Sequence, residues 1–139
     1  MTARGKARKR ALDVLFSAEL RAVSPLVTLR ERTMAEGAAN DRQNPYVATL
    51  VEGVVAHQER IDELLSTYSS GWSLERMPVV DRNVLRIAVF ELLWREDIPA
   101  PVVIDEAVSL VRSLSTDASP GFVNGVLARI LDLRPRLAV

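Results

Sequence analysis

The chain has no cysteine and a single histidine, His57, in 139 residues. The first absence removes disulfides and thiolate chemistry and is compatible with a reducing compartment. Together they leave no ordinary zinc ligand set, and no Ser-His-Asp or Cys-His arrangement is readable. His57 reads as a solvated residue on the polar side of a helix. There is no P-loop, dinucleotide fingerprint or internal repeat, so catalytic residues, metal ligands and cofactors are all expected to be none. No apolar run approaches the 18 or more residues of a membrane span. Asp13, Glu19 and Arg21 interrupt any secretory segment near the start. The expectation is a soluble cytoplasmic protein that is not an enzyme.

Apolar residues make up 48%, a globular share rather than a disordered one. Gly (6) and Pro (7) are sparse, and the prolines stand where helices begin and end. Leu12, Leu15, Phe16 and Leu20 recur at helical spacing over about 2–22, until Ser24-Pro25 breaks the run. A weaker helix follows through Leu26, Leu29 and Met34, then a polar hinge near 37–44. Asn44-Pro45 is a helix start, with Asn as N-cap and Pro in the first turn. From Val47 to Tyr68 the apolar residues keep the 3.6-residue period for about six turns. Residues 79–94 are apolar nearly all round, the mark of a helix surrounded by others. After Pro99-Ala100-Pro101 a helix uses Ile104, Ala107, Val108 and Val111. Ser119-Pro120 repeats the cap-then-proline signature before Val123, Val126, Leu127 and Ile130. No stretch alternates with period two. The fold class is all-α, a compact bundle of six to seven helices in one domain.

Eighteen basic residues balance eighteen acidic ones, but the arrangement is uneven. Arg4, Lys6, Arg8, Lys9 and Arg10 crowd the first helix start, and residues 1–12 hold no acid. Cations there oppose the helix dipole, each costing on the order of 0.3–1 kcal/mol. Phosphates would explain the collar by pairing with the side chains and the free amides of the helix start; a basic soluble tail explains it equally well. Phe122 and Asn124, in the first turns of the last helix, offer a stacking face and an edge contact for an RNA base. Phe122 with Val126 and Ile130 is also an ordinary core stripe. Gly125, costing about 1 kcal/mol relative to Ala inside a helix, points to a close approach by another helix or a ligand. The acid pairs Asp62-Glu63, Glu96-Asp97 and Asp105-Glu106 read as helix-face and helix-start charges.

Several segments in order resemble the NusB family of antitermination factors. They are Arg8-Lys9-Arg10-Ala11 with Leu15-Phe16, Leu50-Val51-Glu52-Gly53-Val54 leading to Ile61-Asp62, and Asp81-Arg82 with Val84 to Leu93. Asp97-Ile98-Pro99, Ile104 to Val108 and Phe122 to Leu127 complete the set. The resemblance implies two three-helix halves, drawn from the sequence at about 1–43 and 44–139, and no enzymatic activity. It implies binding of boxA-type single-stranded RNA from ribosomal RNA operon transcripts, jointly with the ribosomal protein NusE. Other Nus factors and RNA polymerase complete the complex, which suppresses premature Rho-dependent termination.

By position, the resemblance assigns RNA binding to Arg4, Lys6, Arg8, Lys9, Arg10, Phe122 and Asn124, and NusE contacts to Glu75, Arg76 and Asp81. The loop 115–121 lacks the longer charged side chains common in the family, and Ser69-Ser70-Gly71 is small where bulkier residues are usual. Fusions of such domains to RNA cytosine methyltransferases are not expected here, because no catalytic cysteine or glycine-rich loop is present. The alternative reading is a homo-oligomeric helical interaction protein in ribosome biogenesis, with incidental RNA binding and a homodimer that masks the collar.

Overall fold

A computed structural model describes residues 2–36 and 44–139 of the protein. Helices form at Ala3–Arg21 (α1), Pro25–Glu36 (α2), Pro45–Tyr68 (α3), Val79–Trp94 (α4), Ala100–Leu114 (α5) and Ser119–Leu133 (α6). Short 3-10 turns lie at Leu74–Arg76 and Arg134–Arg136. No strand occurs among the described residues. The polar hinge expected near 37–44 falls, apart from Asn44, outside them.

Each start follows from local chemistry. The Thr2 side chain accepts from Gly5 N–H at 2.9 Å and caps α1. Asn44 Oδ1 accepts from Tyr46 N–H at 2.9 Å, while its Nδ2 donates to the Ala3 carbonyl at 2.9 Å. One asparagine thus caps α3 and fastens it to the start of α1. Ser119 departs from expectation. It lies inside α6, with Ala118 at the cap position, and its hydroxyl serves α4 instead, as described below. The turn after α3 is made by Gly71 at φ 77°, a left-handed conformation suited to glycine.

Helices α1, α2 and α3 pack on one another, as do α4, α5 and α6, and α4 also lies against α1 and α3. The chain passes from α3 to α4 through the 69–78 connection. Helix α4 is buried nearly all round, Val84 to Leu93 contributing eight core side chains. It packs tightly on α3 at Gly53, where a Cβ would sit 2.2 Å from Phe90 Cζ. Helix α2 is peripheral: Leu26, Val27 and Met34 are exposed, and so is Leu20 of α1. The apolar face expected for these segments is therefore only partly used.

Candidate nucleic-acid interface

The collar does not behave as five equivalent cations. Arg4, Lys6, Lys9 and Arg10 are exposed, whereas Arg8 is 3% exposed. Arg8 shares the inward face of α1 with Ala7, Ala11, Leu12 and Leu15. Its Nε and Nη2 donate to the two carboxylate oxygens of Glu91 at 2.8 and 2.9 Å. Tyr46 Oη donates to Glu91 Oε2 at 2.6 Å. Burial works against the Arg8 charge, but the Glu91 hydrogen bonds and charge outweigh it and raise its pKa. Burial first, then Glu91, holds the Tyr46 phenol protonated well above its ordinary range. The RNA-contact role assigned to Arg8 is corrected accordingly: it is an internal anchor, and an enclosed guanidinium cannot reach a phosphate.

Around that anchor the exposed cations are ordered by their neighbours. The Arg4 guanidinium lies 4.8 Å from the centre of the Tyr46 ring, and that of Arg95 lies 5.3 Å from it. Lys6, Lys9 and Arg10 edge a groove of about 620 Å³ whose apolar lining is Leu12, Phe16, Val80 and Leu114. A rim of three cations and one acid, Asp13, over an apolar floor suits either an anionic strand or a protein partner.

The second candidate region also borders the α4 start. Asp81 is 2% exposed and accepts from Ser115 Oγ (2.6 Å) and Ser119 Oγ (2.8 Å). Ser119 Oγ also accepts from Thr116 N–H at 3.2 Å, so the α5–α6 turn is sewn to α4. Direct partner contact by Asp81 is corrected in the same way, because its carboxylate is occupied and enclosed. Glu75 and Arg76 stand exposed on the 3-10 turn, which Arg82 holds through the carbonyls of Leu74 (3.2 Å) and Met77 (2.8 Å).

Phe122 is half-buried and borders two hollows of about 190 and 290 Å³. Asn124 is exposed outside both. Gly125 meets nothing: a Cβ there would have no neighbour within 4 Å, so the helix approach expected at that position does not occur. His57 also differs from expectation, since it is half-buried and stacks on Trp94 with ring centres 4.0 Å apart. No acid or histidine cluster among the described residues could hold a metal, and no described helix is long and apolar enough to cross a membrane.

Trp72, between α3 and the 3-10 turn at Leu74–Arg76, stands beside Phe122 with ring centres 5.9 Å apart. Its signal was an indole among small polar residues. The family model described as the NusB family matches residues 5–132.

The chain belongs to the NusB family.

It is 57% identical over 138 residues to the transcription antitermination protein NusB of a Nocardioides species, covering 99% of this chain and all of the relative. It is 55% identical to the corresponding protein of an Arthrobacter species, with 99% and 98% covered. Among solved structures, it is similar to T. maritima NusB at TM-score 0.83 and 36% identity, covering 94% of this chain and 92% of that one. It is also similar to a chain in the crystal structure of antitermination factors NusB and NusE in complex with double-stranded RNA. There the TM-score is 0.80 and the identity 31%, with 93% of this chain and 96% of that one covered. NusB relatives thus share both the sequence and the all-helical arrangement.

Proposed function

We propose that the chain is a non-enzymatic transcription antitermination factor of the cytoplasm. It binds boxA-type single-stranded RNA of ribosomal RNA operon transcripts together with NusE, within a complex of other Nus factors and RNA polymerase. Premature Rho-dependent termination is thereby suppressed. The observation that carries this reading is the collar: Arg4, Lys6, Lys9 and Arg10 are displayed on a helix start that has no acid in its first turn and is pinned from within by Arg8 and Glu91. Phosphate binding offsets the unfavourable placement of these charges. The adjoining apolar groove suits NusE, and the joint NusB–NusE complex of the related crystal structure supports that pairing.

The test is RNA binding by fluorescence anisotropy, with and without NusE, across a salt series. A boxA strand should bind more tightly when NusE is present, lose affinity steeply with salt, and outcompete scrambled and duplex RNA. Equal binding of scrambled RNA with no effect of NusE would refute the reading.

Exposed Leu26, Val27, Met34 and Leu114 favour a second reading in which a homodimer covers the collar. Light scattering distinguishes it, because a masking dimer must dissociate when RNA and NusE are added.

A further inference from the structure

Trp72 is 50% exposed, and its indole stands beside Phe122 at an interplanar angle of 52°. The hollow at this pair is bounded by Trp72, Arg76, Pro78 and Phe122. A second hollow, which shares Phe122, is bounded by Tyr68, Ser70, Phe122 and Arg129. Its wall on α6 is bare backbone at Gly121 and Gly125, where a Cβ would meet nothing within 4 Å. The Arg129 guanidinium lies 5.5 Å from the centre of the Tyr68 ring. Each hollow therefore combines flat aromatic walls with one arginine.

We propose that these hollows are adjoining nucleobase slots, taking neighbouring bases of a single-stranded RNA, with Phe122 as their shared wall. Trp72 forms the outer wall of one slot, and the Arg129–Tyr68 pair that of the other. The proposal rests on the RNA-binding reading above and extends it to residues outside the collar and outside the Phe122–Asn124 pair.

Three observations favour a strand of RNA as the occupant. Aromatic rings and guanidinium planes are the surfaces on which unstacked bases lie, and a duplex keeps its base faces covered by neighbouring pairs. The charge is complementary to a phosphodiester: Arg76 and Arg129 are both exposed, while the acid lining the first hollow, Asp81, already accepts from two serines. The slots and the collar groove also border the same stretches of chain, at the start of α4 and the end of α5. Val80 lines the groove under Lys6 and Lys9, and the next residue, Asp81, lines the Trp72 hollow. A backbone held by the collar can run across the start of α4 and deliver its bases to Phe122.

The full chain carries two tryptophans, so Trp94→Phe leaves Trp72 as the sole indole reporter. The probe is a 12-nucleotide single-stranded boxA RNA, compared with a set in which successive pairs of nucleotides are made abasic. Intact RNA should quench Trp72 saturably, and one abasic pair should abolish most of that quenching while leaving the phosphates in place. Trp72→Ala, with fold checked by circular dichroism, should weaken intact RNA roughly 5- to 150-fold, the equivalent of losing a stack of about 1–3 kcal/mol. Arg129→Ala should weaken it in the same direction by less, and neither variant should further weaken the RNA carrying the critical abasic pair. Loss of salt-dependent binding in Lys6→Ala/Lys9→Ala, alongside wild-type affinity in Trp72→Ala and Arg129→Ala, would overturn the slots and leave the RNA reading standing. No binding of RNA by the unaltered chain would overturn both.

Discussion

Arg8 and Glu91 close a two-pronged ion pair inside the protein, 83 positions apart in sequence and both 3% exposed or less. The pair joins the start of α1 to the end of α4, and Tyr46 adds α3 to the same carboxylate. Removing one partner strands a buried charge, which costs about 3–5 kcal/mol. Arg8→Ala should therefore lower stability by that amount in urea unfolding, whereas Lys9→Ala should stay within about 0.5 kcal/mol of the unaltered chain. A joint Arg8→Met/Glu91→Met replacement should recover most of the loss. Equal stability of Arg8→Ala and Lys9→Ala would contradict the internal role. One consequence is practical: an alanine triple at Arg8, Lys9 and Arg10 confuses folding with binding.

The clean probes of the collar are Lys6 and Lys9, which are exposed. Each phosphate contact to a single strand contributes a slope of about −0.7 to the dependence of log affinity on log salt. Lys6→Ala and Lys9→Ala should each flatten that slope by about that much and weaken RNA of any sequence to a similar extent, with helical content unchanged. An unaltered slope in both would remove these lysines from the interface.

The helices are legible because proline and asparagine punctuate them: Asn44-Pro45, Pro78 and Pro99-Ala100-Pro101 each stand at a start in the folded chain. The all-round apolar pattern of 79–94 likewise identifies the helix that the others enclose. The candidate site is less legible, because its residues are distinguished by partners distant in sequence. Arg8 looks like its neighbours until Glu91 is placed opposite it; the one acid within the apolar stretch Ile87 to Trp94 is the local sign that such a partner exists. Asp81 reads as a surface charge at a helix start, and only the return of Ser115 and Ser119 encloses it. His57 and Trp94 meet because α3 and α4 pack closely at Gly53, a property of two helices together.

That close packing can be tested at Gly53 itself. Alanine has the better helix propensity by about 1 kcal/mol, so an open site would gain stability. Here the new methyl would collide with the Phe90 ring, 2.2 Å from Cζ and 2.3 Å from Cε1. The ring is buried and has the rings of His57 and Trp94 beside it, with centres 6.1 and 6.3 Å away, so it has little room to retreat. Gly53→Ala should lower stability by about 1–3 kcal/mol, and Gly53→Ala/Phe90→Leu should lose less than the sum of the single changes. A more stable Gly53→Ala would show that the helices separate freely.

Acid stability should report on Glu19. Its carboxylate accepts from Arg82 Nε (2.9 Å), Arg86 Nη1 (3.1 Å) and Asn83 Nδ2 (3.3 Å), joining α1 to α4. Arg86 extends the network to Asp62 of α3 at 2.9 Å. Burial alone would raise the pKa of Glu19, but the Arg82 hydrogen bonds and charge, helped by Asn83 and Arg86, bring it below the ordinary 4.5. The folded chain thus releases this proton more readily than the unfolded one. The resulting stability is complete above about pH 4.5 and is lost as pH falls through the depressed folded value. Glu19→Gln should be less stable than the unaltered chain at neutral pH, and the gap should narrow as acid protonates the native carboxylate. Urea midpoints from about pH 6 to about pH 3 measure this directly. A gap that stays constant over that range would mean that Glu19 titrates alike in the folded and unfolded states.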